Sequence, residues 1–149
     1  MAATDDRNDP YRSFNFEVDF GDQTIAGFTE VTGLNADGDA ADYREGTDKV
    51  NSVRKLLGLR KYTNIQLKRG FTKNDRLWQW YASTANGRND RRDGTITLLD
   101  EQRRAVLRWR VRAAWVNKIE TGGFKANASE VLIETVELVH EGVTLEPVR

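Results

Sequence analysis

The chain has 149 residues, which is enough for one domain with its own hydrophobic core. It contains no cysteine, and this excludes disulfides and thiolate-bound metal ions. Its 23 basic residues are balanced by 23 acidic residues, and the zero net charge argues against a dedicated nucleic-acid-binding protein, which needs positive charge to neutralise phosphates.

The N-terminal part combines a polar segment with an alternating strand. Residues 1–10 are expected to form a flexible arm. The next stretch alternates apolar with polar residues, which predicts a half-buried strand whose apolar face is made by Phe14, Phe16, Val18 and Phe20. The sequence GDQT then predicts a turn, and we expect IAGFTEV to return as the second strand of a hairpin.

The periodicity disappears from Gly33 to about Lys55, where the chain is polar and rich in glycine, aspartate and alanine. This composition predicts a long loop, and such loops are uncommon inside compact domains and often functional. Alternation returns in TNIQLKRG, where Ile65 and Leu67 are separated by polar residues, which predicts another half-buried strand.

One helix is predicted within TKNDRLWQWYASTANG. Thr72 is the expected N-terminal cap, with Asp75 placed as in a capping box, and Asn86-Gly87 is the expected stop signal. Helical spacing predicts one buried face, made by Leu77, Trp80, Tyr81 and Ala85.

The C-terminal part reads as three strands. TITLLD and AVLRWRVRAAW are predicted to pair around a turn near Glu101–Arg104, and SEVLIETVELVHEGVTLEPV is predicted to be one long strand segment with Val131, Ile133, Val136 and Leu138 in the core. The order of elements predicts one domain over residues 1–149 that is mainly β with one α-helix, an antiparallel β-sandwich or open barrel.

The strand VLRWRVRAAW has two different faces. Alternation assigns one face to Leu107, Trp109, Val111, Ala113 and Trp115, and the other to Arg108, Arg110 and Arg112. Adjacent arginines repel unless acids lie opposite, and Glu130, Glu134, Glu137 and Glu141 are the candidates for a ladder within the subunit. The arginine face is alternatively the wall of a water-filled channel or a contact with another subunit.

Catalysis and metal binding have little support. The single histidine, His140, lies in the last strand segment without a recognisable triad or metal set, so a structural role is expected. Asp37, Asp39 and Asp42 match a calcium loop only loosely, and we interpret them as solvated. We therefore predict no enzyme activity, no catalytic or metal residues and no cofactor.

A basic stretch without any acid runs from Arg54 to Gly70. It is a solvated face, a self-association surface, or part of a single-stranded nucleic-acid-binding β domain in which Tyr62 stacks on bases. The residues for this last alternative are Arg60, Lys61, Tyr62, Lys68 and Arg69. No apolar run approaches the roughly 20 residues of a membrane span, and the polar N-terminus predicts no signal peptide.

An ordered set of segments resembles the phage tail tube protein family. They are DPYRSFNFEVDF, AGFTEVTGL, YREG, KLLGLRKYTNIQLKRGFT, LWQWY, GTITLLDE, RWRVRAAWVNKI and EVLIETVELVHEG, and they extend from about Asp9 to Gly142. This family builds the inner tubes of contractile phage tails, phage-tail-like bacteriocins and extracellular contractile injection systems.

The resemblance implies a structural protein whose hexameric rings stack into a tube, with the strands of all subunits joined in one continuous inner barrel. It implies that residues 33–62 form an extended inter-subunit loop. The residues expected to mediate subunit contact and ring stacking are Tyr43, Arg44, Glu45, Gly46, Lys55, Leu56, Leu57, Gly58, Leu59, Arg60, Lys61 and Tyr62. Those expected to face the lumen are Arg108, Arg110 and Arg112.

The resemblance also implies partners and a location. The partners are other copies of the chain, a surrounding sheath protein, baseplate or spike proteins, terminal cap proteins, and a cargo of protein effectors or DNA in the lumen, with no membrane insertion. Assembly is expected in the bacterial cytoplasm, followed by release in a virion or injection particle. This favours self-association as the interpretation of the basic stretch.

Overall fold

The computed structural model describes residues 10–13, 15–21, 24–25, 28–127 and 129–148. Within them the chain forms ten β-strands and one α-helix. In chain order the elements are β1 (Phe16–Phe20), β2 (Thr24–Ile25), β3 (Phe28–Thr32), β4 (Ala36–Tyr43), β5 (Arg54–Tyr62), β6 (Ile65–Gly70), α1 (Arg76–Ala85), β7 (Arg92–Leu99), β8 (Ala105–Thr121), β9 (Ile133–Val139) and β10 (Gly142–Pro147).

Eight strands form one antiparallel sheet in the order β2-β1-β7-β8-β9-β6-β3, with β10 paired to β8. Strand β8 joins the two halves of this sheet: residues 105–114 pair with β7, whereas residues 115–121 pair with β9. A long strand shared in this way lets the sheet curve around one core. The predicted fold class, mainly β with a single helix and antiparallel strands, is confirmed.

The core lies between the curved sheet and α1. Trp80 of the helix packs on Phe20 of β1 with ring centroids 5.6 Å apart, and its indole N–H donates to the carbonyl oxygen of Asp90 at 2.7 Å. The alternating residues Val18, Ile65 and Leu67 are buried with them, as the strand patterns predict. One continuous core therefore holds both halves of the sheet and the helix together.

The helix starts later than the sequence predicts. Its N-cap is Asp75, and Thr72 instead accepts a hydrogen bond from the backbone N–H of Asn74. The side chain of Asn74 accepts in turn from the N–H of Arg76, so short polar side chains bind backbone groups that a longer helix would use. The expected stop at Asn86-Gly87 is present, with Gly87 at φ 85°. Ala85 is exposed, so its assignment to the buried face was wrong.

A β-bulge changes the face pattern of β8. The pairing of β7 with β8 shifts between Arg92 and Gly94, and Ala113 opposite has φ 53°. The N–H of Ala113 leaves the ladder and donates to the carboxylate of Asp93 at 2.8 Å. An extra residue in one strand exchanges the two faces beyond it, so the buried residues are Val111, Ala114 and Val116. The prediction that Ala113 and Trp115 continue the face of Val111 was therefore wrong.

The last strand segment is divided into two strands, and of its predicted core residues Val136 and Leu138 are buried as expected. It breaks at 140–141 into β9 and β10, opposite the bulge in β8. Its inward residues include Glu134, Val136 and Leu138, whereas Val131 is exposed and Ile133 only half-buried. Glu134 can occupy a core position because Arg69 of β6, itself buried, donates to it at 2.8 Å.

The expected N-terminal hairpin forms only in part. Val18 of β1 is opposite Ile25, but β3 leaves β1 and pairs with β6. The longer partner of β1 is β7, because Phe16 to Phe20 align with residues 94–98. Residues 1–9 of the arm predicted over 1–10, and Phe14, lie outside the described residues.

Candidate functional site

The segment predicted to be a loop contains a separate β-hairpin. Strands β4 and β5 pair antiparallel in a two-stranded sheet of their own, connected by residues 44–53. Every residue of β4 is exposed, and in β5 all but Gly58 are exposed. The prediction of an irregular loop was wrong because strands exposed on both faces need no alternation of apolar and polar residues. We refer to residues 36–62 as the projecting hairpin.

Large aliphatic side chains occupy the middle of the projecting hairpin. Leu57 is 83% exposed and Leu59 is 74% exposed, and Leu56 is exposed as well. Leu56 and Leu57 are opposite Ala41 and Ala40, so apolar residues occur on both faces. An isolated two-stranded hairpin is marginally stable in water, and exposed apolar patches mark interaction sites. These residues are the strongest candidate for a docking surface in the described chain.

Gly58 keeps the two strands of the hairpin in contact at a bulge. The register shifts between Gly38 and Ala40, and a Cβ atom on Gly58 would lie 2.7 Å from the carbonyl oxygen of Asp39. A side chain at position 58 would therefore separate the strands at the level of the leucines. The predicted contact residue Gly58 thus shapes the hairpin through its lack of a side chain.

Ion pairs cross the hairpin and neutralise most of its basic strand. Lys55 pairs with Asp42, Lys61 lies 3.5 Å from Asp39, and Arg54 binds Asp48 at 2.7 Å. Further along the same basic stretch, Lys68 pairs with Glu30 at 3.5 Å and Arg69 is bound in the core by Glu134. The acids Asp39 and Asp42 are therefore partners of lysines, and the stretch does not present a field of uncompensated positive charge.

The tip of the hairpin is a hydrogen-bonded turn. Tyr43 donates its hydroxyl to the carboxylate of Glu45 at 2.8 Å, and this bond raises the pKa of Tyr43 because it favours the protonated phenol. Arg44 donates to the carbonyl oxygens of Asp48 and Val50 at 3.2 and 3.1 Å. The predicted contact residues Tyr43, Arg44 and Glu45 thus hold the tip in one shape.

The root of the hairpin is attached to the body by backbone contacts. Gly33 has φ 94°, and a Cβ atom there would lie 2.1 Å from the carbonyl oxygen of Asn64. Thr63 donates its hydroxyl to the carbonyl oxygen of Gly33 at 2.9 Å, and Nε2 of His140 donates to the carbonyl oxygen of Thr63 at 2.9 Å. The ring of Tyr62 lies 5.8 Å from that of His140. His140 therefore has a structural contact at the point where the hairpin leaves the body.

The three arginines predicted to face the lumen, Arg108, Arg110 and Arg112, all lie in β8. None of the four glutamates expected opposite them forms an ion pair with them in the described residues. Arg110 pairs with Glu146 of β10, and Arg112 donates to the backbone carbonyl of Glu141 at 3.0 Å. Arg110 and Arg112 line an open cavity of about 740 Å³ that also contains Asp19 and Asp93, whereas Arg108 is half-buried.

The glutamates predicted to oppose these arginines have other partners. The carboxylate of Glu141 binds Arg91 at 2.7 Å, that of Glu137 accepts from Asn64 at 3.1 Å, and that of Glu134 binds Arg69. Glu130 lies in the β8–β9 connection, outside any strand. The predicted ladder was therefore wrong, because the strand that lies beside the arginines is β10 and its acid is Glu146.

A second exposed apolar cluster was missed by the sequence reasoning. Phe124 and Val131 belong to the connection between β8 and β9, where they are 83% and 71% exposed and line an open cavity of about 320 Å³. Phe71, the residue after β6, is attached to this connection, since its N–H donates to the carbonyl oxygen of Leu132 at 2.9 Å. We call Phe71, Phe124 and Val131 the distal patch. Single apolar residues in loops carry no periodic signal, so only their proximity in the fold identifies the patch.

The described residues show no grouping of three or more histidine, cysteine or acidic side chains that would suit a metal ion. No helix among them is both long and apolar enough to cross a bilayer.

Known structures share this fold along almost the whole chain. A chain in the cryo-EM structure of an extracellular contractile injection system, the PVC sheath–tube complex in its extended state, is 26% identical, with a TM-score of 0.85 over 95% of this chain and 94% of that one. A chain in the cap of the anti-feeding prophage is 25% identical, with a TM-score of 0.85 over 99% and 100%. No curated protein sequence matches significantly.

A more distant structure and one protein-family model also match this chain. Hcp1 from Flavobacterium johnsoniae is 14% identical, with a TM-score of 0.53 over 87% of this chain and 93% of that one, and shares the fold alone. The model of the family described as T4-like virus tail tube protein gp19 matches residues 12–144, which is most of the chain. The chain therefore belongs to the T4-like tail tube protein family, and its role is that of a structural tube protein.

Proposed function

We propose that this protein forms the inner tube of a contractile tail or contractile injection system as hexameric rings that stack on one another. The observation that carries this assembly is the projecting hairpin, which exposes Leu56, Leu57 and Leu59 to solvent. Burial of exposed leucines against other copies removes apolar surface from water and is favourable by roughly 25 cal/mol per Å². Contact on both faces of the hairpin then stabilises two strands that are marginal alone.

The sheet supports closure into a ring. Among the described strands, the sheet path ends at β2 on one side and β3 on the other, so it is open within one subunit. Open edges present unpaired backbone groups that invite pairing with another chain, and a closed ring removes them. A repeated heterologous contact of this kind closes when the rotation between neighbours fits a whole number of subunits, six in this proposal.

The arginine face of β8, made by Arg108, Arg110 and Arg112, is proposed to face the lumen. Arg110 is exposed but paired with Glu146, and Asp19 and Asp93 lie in the same cavity. Mixed charge on the wall limits attraction to cargo of either sign, which suits a conduit through which protein effectors or DNA must pass. Weak contacts favour passage because a tightly bound cargo would not leave.

The remaining partners are proposed from the assemblies in which similar chains occur. The structures with matching chains are a sheath–tube complex, a baseplate, a tube terminating cap and a sheath/tube terminator. We accordingly propose contacts with a sheath around the tube, a baseplate or spike at one end and a cap at the other. Assembly takes place in the bacterial cytoplasm, and the particle is then released.

The ion pairs within the chain argue against the alternative function as a single-stranded nucleic-acid-binding domain. Of the residues assigned to it, Lys61 is paired with Asp39, Lys68 with Glu30 and Arg69 with Glu134. Binding to nucleic acid draws on counterion release by free cations, and cations already neutralised by acids of the same chain contribute little.

Electron microscopy of the purified protein tests the proposal. We expect rings or tubes with a central hole for the wild type, and single unstacked rings without tubes for the double variant Leu57→Asp/Leu59→Asp. Trp78→Glu is the matched control, because Trp78 is 54% exposed on α1, and we expect it to retain self-assembly. Wild-type protein that stays monomeric at every concentration would overturn the proposal, and unchanged tubes in the double variant would remove the hairpin from it.

A further inference from the structure

The distal patch and the projecting hairpin lie at opposite ends of the same rigid strand. The hairpin ends at Tyr62, and β6 begins at Ile65 three residues later. The other end of β6, Gly70, is in register with Ile133 and directly precedes Phe71 of the patch. Six residues of strand separate the two sites by about 20 Å.

This placement prevents one copy from satisfying its own surfaces. Strand β6 is paired on both sides, with β3 and with β9, so it acts as a fixed spacer between the hairpin root and the patch. Two complementary surfaces at opposite ends of a rigid body bind between copies, head to tail, and a contact of this kind extends into a column.

We propose that the leucines of the projecting hairpin of one copy dock on the distal patch of a copy in the next ring. The proposal rests on the stacked tube described above and identifies the acceptor surface of that stack. The occupant of the patch is thus a second copy of this chain, and the contact fixes the polarity of the tube.

The two surfaces match in chemistry. Phe124 and Val131 of the patch line a cavity of about 320 Å³ together with Leu132 and Ile133. Gly123 leaves the adjoining space open, since a Cβ atom there would meet nothing within 4 Å. On the hairpin, the side chains of Leu57 and Leu59 are exposed. Leucine side chains entering the cavity would cover both sets of apolar atoms at once.

The rims of both surfaces carry both signs of charge. Lys125 and Glu130 line the cavity of the patch. The Asp42–Lys55 pair lies next to Leu56 and Leu57 on the hairpin. Charges of both signs on each side allow complementary pairing around an apolar centre, which is the usual arrangement of a protein interface.

Complementary variants test the docking. Leu57→Asp/Leu59→Asp lacks a working hairpin but keeps the patch, and Phe124→Asp/Val131→Asp lacks the patch but keeps the hairpin. We expect neither to form stacks alone. Mixed together they retain one type of productive junction, so we expect pairs of rings that stop at a single junction. Long tubes formed by the patch variant alone would overturn the proposal while leaving tube assembly intact.

Disulfide trapping gives an independent readout, because the chain has no cysteine of its own. Leu57→Cys and Phe124→Cys proteins are mixed, assembled and oxidised, and we expect a crosslinked dimer on a non-reducing gel. The control pairs Leu57→Cys with Trp78→Cys on the helix, for which we expect no crosslink. A disulfide requires Cα atoms within about 7 Å, so it reports direct contact.

The outcomes separate the two proposals. Assembled tubes without a crosslink between positions 57 and 124, or with an equal crosslink to position 78, contradict docking on the patch but not the tube. A wild-type protein that forms neither rings nor tubes contradicts the tube itself.

Discussion

The body and the projecting hairpin of this protein follow opposite rules. In the body, which is the eight-stranded sheet with α1, alternating strands bury Val18, Leu67 and Val136 around Trp80. Burial of these side chains in one core stabilises the fold of the subunit. In the hairpin, Leu57 and Leu59 are exposed although they are as apolar as the core residues. The difference teaches that apolar residues in one region stabilise the subunit, and in the other they are available for contact between subunits.

The largest expected effect is in the body. Trp80→Ala removes a fully buried side chain that packs on Phe20 at 5.6 Å and lies under Arg92 at 4.8 Å. Truncation of a buried tryptophan costs about 4 kcal/mol, because it loses transfer free energy and leaves a cavity. Urea unfolding followed by circular dichroism measures it. Trp78→Ala, on the exposed face of the same helix, is the control, and an equal loss there would contradict the assignment of the core.

The buried ion pair gives the next largest effect. Arg69→Met leaves Glu134 without its partner in a site where both side chains are almost fully buried, and we expect a loss of about 3 kcal/mol in the free energy of unfolding. The double variant Arg69→Met/Glu134→Leu removes both charges and is expected to recover most of that loss. Chemical denaturation of both proteins provides the comparison, and a double variant as unstable as the single one would contradict it.

A smaller effect, which depends on pH, is expected at the β7–β8 turn. The backbone N–H of Arg104 donates to Asp100 and lowers the pKa of this carboxyl below its ordinary value of 3.8, with a further bond from Gln102. A carboxyl whose pKa is lower in the folded than in the unfolded state stabilises the folded protein above about pH 4. This stabilisation is lost as the pH falls through the pKa of Asp100 in the folded state.

We therefore expect Asp100→Ala to melt at lower temperature than the wild type at pH 7, and the gap to close below pH 3.8. Thermal melts between pH 7 and pH 3 measure the difference in melting temperature, with Glu101→Ala as an exposed neighbouring control. A gap that is constant with pH would show that the carboxylate has no part in it.

The smallest effect on the stability of the subunit is expected at the hairpin bulge. Gly58→Ala brings a Cβ atom to 2.7 Å from the carbonyl oxygen of Asp39 and distorts the hairpin, but the core is untouched, so we expect less than about 0.5 kcal/mol in monomer stability. Self-assembly, measured by sedimentation, is expected to fall. Trp78→Ala is the control, because Trp78 is 54% exposed on α1 and lies outside the hairpin. Equal assembly by both variants would contradict a role for the bulge.

Sequence patterns predicted the strands that have one buried face. Alternation correctly predicted β1 at Phe16 to Phe20 and the buried residues Ile65 and Leu67 of β6. It also predicted the two strands on either side of residues 100–104. The pattern failed at the hairpin, because neither face of β4 or β5 is buried in the subunit. It also failed beyond Ala113, since the bulge there depends on the carboxylate of Asp93 from another strand.

The candidate contact residues divide in the same way. The contact residues 43–46 and 55–62 were assigned through resemblance to tail tube proteins, and those that lie in β4 and β5 are exposed except Gly58. The distal patch had no such signal, because Phe71, Phe124 and Val131 are separated by up to 60 positions, in segments that meet only where β6 and β8 end and β9 begins. Likewise, the acid opposite the arginines depends on which strand lies beside β8.

The sequence by itself determined a cysteine-free, charge-balanced, mainly β domain with one helix, because composition and short-range periodicity are local properties. The family relationship came from the resemblance of an ordered set of segments. Tertiary structure decided which face of β8 is buried after the bulge, that Glu134 lies in the core beside Arg69, and that the hairpin and the patch lie at opposite ends. These features depend on contacts between residues distant in the chain, and the energy of a buried charge or an exposed leucine is set by its partners.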